Sequence, residues 1–351
     1  MVKTDFRDFI SNGLALAEDK WRSCGGSEIH YHIGPVTMAV RFIGDSLTEI
    51  IDPALTHRRT GNKAVKISGI VYALDATALG APAPPGIWPL PLIRREHLQR
   101  VHWQPAEGLA LASDEDRGIW HLFDMNRREG FYWIHCGREL PSWELGAPLR
   151  YFIHWLAYLE GAQLIHAAGL AHNGLGLLLT GAGGSGKSTT TAAAITSGWQ
   201  TVGDDFVLVE KSVPPVVHGI YNTMKLAGMA LEAIPDFANQ AVNPQRSMVD
   251  KARIHLNRTS STRLVASMPV SAIFSLHITN EEITNILPAS KAAIMKALAP
   301  STLFLLRTGM QESFAQISEL INKLSCYSIE LGKNPFEAVE ALVRVIKTFK
   351  Q

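Results

Sequence analysis

One short stretch constrains the fold of this chain more than any other. Residues 181–188 read Gly-Ala-Gly-Gly-Ser-Gly-Lys-Ser and match G-x-x-x-x-G-K-[ST], the pattern of a phosphate-binding loop. The apolar run 175–180 predicts a buried strand before the loop, and residues 188–195 predict a helix after it. A phosphate-binding loop needs this strand-loop-helix context, so the sequence predicts an α/β domain. The alternative is a glycine-rich turn that binds no ligand.

The loop residues have the chemistry to hold ATP together with Mg²⁺. Backbone N–H groups of such a loop turn toward phosphate oxygens, and the helix N-terminus adds partial positive charge. In this pattern Lys187 reaches the β- and γ-phosphates, and the Ser188 hydroxyl holds Mg²⁺. The predicted nucleotide-binding residues are Gly181, Ala182, Gly183, Gly184, Ser185, Gly186, Lys187, Ser188 and Thr189.

Composition and charge narrow the class of protein. A length of 351 residues favours about two domains, and 46% hydrophobic residues are ordinary for a globular protein. The formal net charge of +1 gives no electrostatic case for a nucleic-acid or membrane partner. No apolar run approaches the ~20 residues that span a bilayer. The three cysteines lie far apart and the first residues are polar, so we expect a cytoplasmic protein, and a homo-oligomer stays open.

The chain divides into two parts of different character. Residues 1–145 predict a β-rich α+β domain with a first helix capped by Thr4, and residues 81–89, rich in proline, predict a loop. This part has no recognisable catalytic set, and we expect it to recognise a substrate or partner. Residues 146–351 contain the phosphate-binding loop and predict the catalytic domain, a mixed sheet with flanking helices.

Three polar side chains flank the loop in sequence. Asn173-Gly174 stands between two apolar runs and predicts a hairpin, which places an antiparallel strand with His166 beside the loop strand. Asp204 and Asp205 follow the loop helix, so all three side chains can converge near the γ-phosphate. One carboxylate would bind Mg²⁺ and the other would accept a proton from a substrate hydroxyl. The alternatives are a solvated Asp pair that caps a turn and a core histidine.

These features together resemble the catalytic domain of the bacterial HPr kinase/phosphorylase family. The resemblance covers roughly residues 145–350 and is strongest over 164–210. The separations along the chain match the family pattern, counted from His166 to Lys187, from Lys187 to Gly198 and from Lys187 to Asp205.

The resemblance implies a fold related to the ATP-dependent phosphoenolpyruvate carboxykinases and transfer of a γ-phosphoryl group to a serine. It implies that Asp205 accepts the serine proton, that His166 supports Asp205, and that Lys187 contacts the phosphates. Ser188 would hold Mg²⁺, and Asp204 would be either a further metal ligand or a residue that contacts a metal ligand.

The chain also departs from the family. The family's second signature, Glu-Ile-Arg-Gly, has only Val216-Val-His-Gly219 as its nearest counterpart, so its metal-binding Glu is missing or moved. For the family's later arginine the candidates are Lys251 and Arg253, as substrate or phosphate contacts, with a charged strand edge as the alternative. Since the N-terminal part does not resemble the family's, the chain is more similar to divergent kinases that phosphorylate peptide precursors, such as those of lasso peptides.

Three functions therefore stay open at the level of sequence. The first is an ATP-dependent kinase that acts on a serine of a peptide or protein. The second is a small-molecule kinase or carboxykinase-like enzyme on the same fold. The third is a nucleotide-controlled binding protein with slow hydrolysis.

Overall fold

The computed structural model describes residues 6–61, 65–85, 100–246, 250–279 and 281–349. The chain forms two compact units: an N-terminal unit of Met1–Glu160 with Leu306–Gly309, and a C-terminal unit of Gly161–Leu305 with Met310–Gln351. Two predictions fall wholly or partly outside the described residues, namely the Thr4 cap and residues 86–89 of the proline-rich segment. Residues 81–85 have no regular secondary structure.

The N-terminal unit is built on a mixed sheet. Its strands run in the spatial order β1-β2-β3-β7-β6-β5-β4, and β3 is parallel to both of its neighbours. The first helix packs its apolar side on β3, β6 and β7. The elements are α1 (Phe6–Cys24), β1 (Gly26–Ile33), β2 (Val36–Ile43), α2 (Thr48–Leu55), β3 (Gly69–Asp75), α3 (Ala76–Leu79), β4 (Arg100–Gln104), β5 (Leu109–Asp114), β6 (Ile119–Asp124), β7 (Glu129–Ile134), α4 (Ser142–Gly146) and α5 (Arg150–Leu159).

The division between the units follows Glu160 and not the predicted residue 145, because α5 belongs to the N-terminal unit. The Phe152 ring lies 5.4 Å from the His121 ring of β6, and it packs against Gly130 of β7. At the start of the same helix, Arg150 pairs with the fully buried Glu144 at 3.1 Å. The packing partners of this helix lie upstream in the sequence, so its own pattern does not assign it to the N-terminal unit.

The C-terminal unit contains a nine-stranded mixed sheet and a separate two-stranded ribbon. Its elements are β8 (Gln163–Ile165), β9 (Ala168–His172), β10 (Leu175–Thr180), α6 (Lys187–Thr196), β11 (Gln200–Gly203), β12 (Val207–Glu210), β13 (Val216–Gly219), β14 (Thr223–Leu226), α7 (Gly228–Ala233), β15 (Ala252–His255), α8 (Leu256–Thr259), β16 (Ser267–Ile278), β17 (Asn285–Pro288), α9 (Lys291–Leu306), α10 (Met310–Lys323), β18 (Ser325–Leu331) and α11 (Pro335–Thr348).

This sheet is covered on both faces, which confirms the predicted α/β class with flanking helices. Along β10, Leu177 and Leu179 face a core that contains α6 and α11, whereas Leu178 faces a second core that contains α9 and α10. Successive side chains of a strand point to opposite faces, so a strand covered on both sides is apolar at nearly every position, as β10 is.

The predicted hairpin is confirmed around the loop strand. β9 pairs antiparallel with β10, and Asn173 and Gly174 both have positive φ, as a two-residue turn of this kind requires. In the described part of the C-terminal unit, β11, β10, β16 and β18 run in one direction, so their carboxyl ends share an edge of the sheet. Among the described residues of the whole chain, no helix has the length and apolar character needed to cross a membrane.

Candidate active site

The predicted phosphate-binding loop joins the carboxyl end of β10 to the first turn of α6. Gly186 precedes the helix with φ of 98°, and a methyl group at this position would lie 2.4 Å from Leu331 Cδ1. Glycine is therefore the residue that suits this position. The helix begins without a side-chain cap, so its first N–H groups face the loop.

The loop lysine is buried and points back into the loop. Lys187 Nζ donates to the carbonyl oxygens of Gly181 at 2.7 Å and Ala182 at 3.2 Å. Burial lowers the pKa of the Lys187 ammonium, as does the charge of Lys251, while Asp205 and Asp204 raise it. The lysine thus lies within electrostatic reach of both acids, although they are distant from it in sequence.

The two acids occupy different environments. Both follow β11, whose carboxyl end shares the sheet edge with the loop. Asp204 is buried, and within the described residues neither of its carboxylate oxygens has a hydrogen-bond partner of good geometry. Asp205 is partly buried and has an ionic partner on each of its two oxygens.

Asp205 lies between His166 and Lys225. His166 Nε2 is 2.9 Å from Oδ1, and Lys225 Nζ is 2.7 Å from Oδ2. Since an ionised carboxylate only accepts hydrogen bonds, Nε2 of His166 carries the proton that it shares with Asp205. The side chains of His166 and Asp205 are 14% and 16% exposed, so this cluster opens to solvent on one side.

The charges around the acids push their pKa values apart. Burial opposes ionisation of Asp205, but Lys225 and His166 outweigh it and hold the pKa of this carboxyl far below its usual range. For Asp204, burial and then the negative charge of Asp205 raise the pKa, against smaller opposing effects of the Ser188 hydroxyl and Lys225. Asp205 is therefore ionised at neutral pH, and Asp204 is the carboxyl whose ionisation a nearby cation would favour most.

His166 reaches Asp205 from a position that differs from the predicted one. The strand predicted to contain His166 breaks at this residue into β8 and β9, so His166 lies on neither strand. Its backbone N–H donates to the Thr302 hydroxyl at 3.0 Å, and its ring lies 5.1 Å from the Phe206 ring. The break occurs at the sheet edge where the loop lies, because β9 begins there.

Sequence reasoning missed Lys225. This residue lies on β14, and its register partner across the β14–β15 ribbon is Arg253. Residues directly opposite on antiparallel strands have side chains on the same face, so Lys225 and Arg253 share a face of the ribbon. In the sequence, Lys225 is a charged residue between two apolar ones, Met224 and Leu226, and this pattern does not identify Asp205 as its partner.

The two predicted cations of this region differ in burial. Burial lowers the pKa of Arg253, which has no ion-pair partner among the residues that the structure describes. Lys251 precedes β15, is exposed, and acts on Lys187 through its charge. Lys251 therefore lies within electrostatic reach of the loop lysine, whereas Arg253 is linked to the acids only through its ribbon partner Lys225.

The counterpart of the second family signature lies in the sheet. Val216–Gly219 forms β13 between β12 and β16, and its polar residue His218 contacts Glu210 at 2.9 Å. This stretch supplies no carboxylate of its own. Within the described residues, no group of three His, Cys, Asp or Glu side chains is arranged to hold a metal ion.

The loop and the acids nevertheless fit a nucleotide with Mg²⁺. Mg²⁺ in such sites is bound through one or two carboxylates together with phosphate oxygens and waters, and needs no cage made only of protein. The Ser188 hydroxyl and the buried Asp204 oxygens are donors of the right kind, close enough for the hydroxyl to act on the carboxyl. Lys187 and the loop amides have the charge and polarity that phosphates require.

Comparisons with known proteins add little to this geometry. No protein-family model and no curated protein matches the chain. Among solved structures, the chain is similar to the Hpr(Ser) kinase/phosphatase from Coxiella burnetii, at 12% identity and a TM-score of 0.31. The match covers 54% of this chain and 97% of that one. A likeness at this level assigns no function.

Proposed function

We propose that the C-terminal unit is an ATP-dependent phosphotransferase that transfers the γ-phosphoryl group to a serine hydroxyl of a peptide or protein. The observation that carries the proposal is Asp205, an ionised carboxylate held by His166 and Lys225 beside the loop lysine. A phosphate-binding loop alone supports nucleotide binding. An oriented carboxylate next to it supports transfer to a hydroxyl group.

In this proposal the serine oxygen forms a bond to the γ-phosphorus while the bond from that phosphorus to the β,γ-bridging oxygen breaks, and ADP leaves. Asp205 accepts the hydrogen bond of the serine hydroxyl, orients its oxygen for this attack, and takes the hydroxyl proton late in the step, as the new bond to phosphorus forms. The low pKa of Asp205 makes it a weak base. This suits a loose transition state, in which positioning and charge neutralisation matter more than early proton removal.

The other residues have supporting roles. Lys187 and the loop amides neutralise charge on the transferred group, and His166 and Lys225 keep Asp205 in place. Bound Mg²⁺ would add charge neutralisation at the phosphates, held by the Ser188 hydroxyl and Asp204. The cytoplasmic location, the serine specificity and the role of the N-terminal unit in recognition are part of this proposal.

The test compares the wild-type protein with Asp205→Asn on a randomised peptide library with a fixed serine, incubated with ATP and Mg²⁺. Mass spectrometry should find phosphoserine with the wild type, and Asp205→Asn should lower the rate by about 10²–10⁴-fold. Asp236→Asn is the matched control, because Asp236 is an exposed acid of the same unit. It should leave the rate unchanged.

Other outcomes would contradict the proposal in distinct ways. Phosphate found on small hydroxy compounds but on no peptide would favour the small-molecule kinase. Tight ATP binding without transfer to either class would favour a nucleotide-controlled binding protein. Full activity of Asp205→Asn would show that Asp205 does not have the assigned role.

A further inference from the structure

An exposed apolar surface lies directly beside the phosphate-binding loop. Ile278 is the last residue of β16, and its side chain is 61% exposed. A methyl group placed on Gly186 would lie 3.6 Å from Ile278 Cγ1 and 2.4 Å from Leu331 Cδ1. The exposed isoleucine and the buried leucine therefore border the loop at the start of α6.

The segment around this surface is held to β18. The Thr279 N–H donates to the Leu331 carbonyl at 2.9 Å, and the Gly332 N–H donates to the Thr284 hydroxyl at 3.0 Å. A methyl group on Gly332 would lie 2.7 Å from the Glu282 carbonyl oxygen, so the backbone before Ile283 lies against this glycine. Ile283 is exposed as well. The end of β16 is thus hydrogen-bonded to the end of β18.

The order of strands places this surface opposite the acids. From one side of the sheet to the other, the order is β11, β9, β10, β16 and β18. At the common edge, Asp204 and Asp205 follow β11, the phosphate-binding loop follows β10, and Ile278 ends β16. Neighbouring strands are about 4.8 Å apart, so Ile278 lies about 14 Å from the end of β11 along the edge, with the loop between them.

This order gives a bound nucleotide a direction. If the terminal phosphoryl group lies beside Asp205 and the other phosphates lie in the loop, the nucleoside extends away from the acids, toward β16 and β18. Ligands of open α/β sheets bind outside the carboxyl ends of the strands, which is where this surface lies. A purine or pyrimidine ring has apolar faces that an aliphatic side chain can cover.

We propose that Ile278, bordered by Leu331, is the surface on which the base of the donor nucleotide docks. The site takes a nucleoside di- or triphosphate and contacts the face of its base. The inference rests on the proposed function, since it presumes that the loop binds a nucleotide with its terminal phosphate toward Asp205.

The test separates the base from the phosphates. Calorimetry would measure binding of a non-hydrolysable ATP analogue and of inorganic tripolyphosphate, each with Mg²⁺, to the wild type, Ile278→Ala and Ile278→Asp. Loss of one buried aliphatic contact should weaken the analogue about tenfold in Ile278→Ala, and Ile278→Asp should weaken it further. Tripolyphosphate has no base, so its affinity should not change. The control is Leu287→Ala, because Leu287 is an apolar residue of β17 that is 51% exposed.

The outcomes distinguish this inference from the proposed function. If the wild type binds the analogue and the Ile278 variants bind it equally well, the base docks elsewhere and only the inference fails. If the variants lose tripolyphosphate to the same extent as the analogue, Ile278 supports the loop and not the base. If the wild type binds neither ligand, the proposed nucleotide-dependent function fails together with the inference.

Discussion

At the scale of the residue, the environment of Asp205 decides what the candidate site can do. Its two oxygens contact side chains from separate parts of the chain, His166 and Lys225. A carboxylate held at both oxygens has a defined orientation, which an exposed aspartate lacks. Since a misplacement of about 1 Å in a catalytic group can lower a rate about 10²-fold, these two contacts matter as much as the acid itself.

Lys225 provides the most specific prediction at this scale. Lys225→Met should lower kcat for the proposed transfer to serine by about 10²-fold, because Asp205 loses the contact that fixes its second oxygen. Lys225→Arg restores the positive charge and the hydrogen bond and should recover a measurable part of the rate. Steady-state kinetics with a peptide that the wild type phosphorylates would measure kcat and KM separately.

Lys347→Met removes a lysine from the last turn of α11, where it is exposed, and should have no effect. A positioning role acts on kcat, so a rise in KM for ATP with unchanged kcat would instead mean that Lys225 binds the nucleotide. Loss of folding in Lys225→Met, visible as a lower melting temperature, would make Lys225→Arg the deciding variant.

At the scale of the element, the phosphate-binding loop depends on backbone conformation as much as on side chains. Gly183 and Gly186 both belong to the motif, but they differ in what surrounds them. Gly186 has φ of 98° and lies against Leu331, whereas a methyl group on Gly183 meets no atom within 4 Å. The motif pattern requires a glycine at position 186, and the positive φ and the contact with Leu331 give the physical reason.

This difference predicts opposite results for two similar substitutions. Gly186→Ala should lower the free energy of unfolding by about 1–2 kcal/mol, because a side chain is strained at that φ, and should weaken nucleotide binding by distorting the loop. Gly183→Ala should change neither quantity. Thermal melts and binding of a fluorescent ATP analogue would measure both. Equal loss of binding in the two variants would mean that the open face near Gly183 contacts the ligand.

The elements that could be predicted are those whose sequence signals lie within a few neighbouring residues. The strand-loop-helix unit and the hairpin at Asn173-Gly174 follow from neighbouring residues, and the structure has both. The last helix also starts at local signals, because the Asn334 side chain caps it and Pro335 is its first residue.

The unpredicted features depend on contacts between distant segments. The ribbon that presents Lys225 pairs β14 with β15, and a long stretch of chain separates the two strands. The break at His166 depends on β8 and β9 pairing with different neighbours, β12 and β10. Neither pairing leaves a periodic pattern in its own segment, so the sequence predicted one continuous strand and left Lys225 unnoticed.

At the scale of the whole molecule, the N-terminal unit can be followed by its tryptophans. Of the eight tryptophans, only Trp199 lies beyond residue 160, so tryptophan fluorescence reports mainly on the N-terminal unit. This unit also contains two histidines whose pKa values are far below the usual range. Burial lowers the pKa of His57 to about 3, with a further contribution from Arg58. Burial lowers the pKa of His154 to about 4, against a smaller opposing effect of the Thr308 backbone.

These histidines predict that the N-terminal unit loses stability in mild acid. Unfolded histidine has a pKa of about 6.5, so between pH 6.5 and pH 4 the unfolded chain binds a proton at position 154 that the folded unit does not. The free energy of unfolding should therefore fall as the pH drops through this window, by about 3 kcal/mol from His154, with no further loss from it below pH 4. Urea titrations followed by tryptophan fluorescence from pH 8 to pH 4.5 would measure the slope.

The variant His154→Leu tests the assignment, because His154 is 3% exposed and leucine can fill an apolar site without a titrating group. It should remove about half of the slope between pH 6.5 and pH 4.5, because His57 takes up a proton on unfolding in the same window and accounts for the remainder. His135→Leu is the matched control in the same unit, since His135 is exposed, and it should keep the wild-type slope. A wild-type slope in His154→Leu would mean that acid unfolding of this unit begins at other groups.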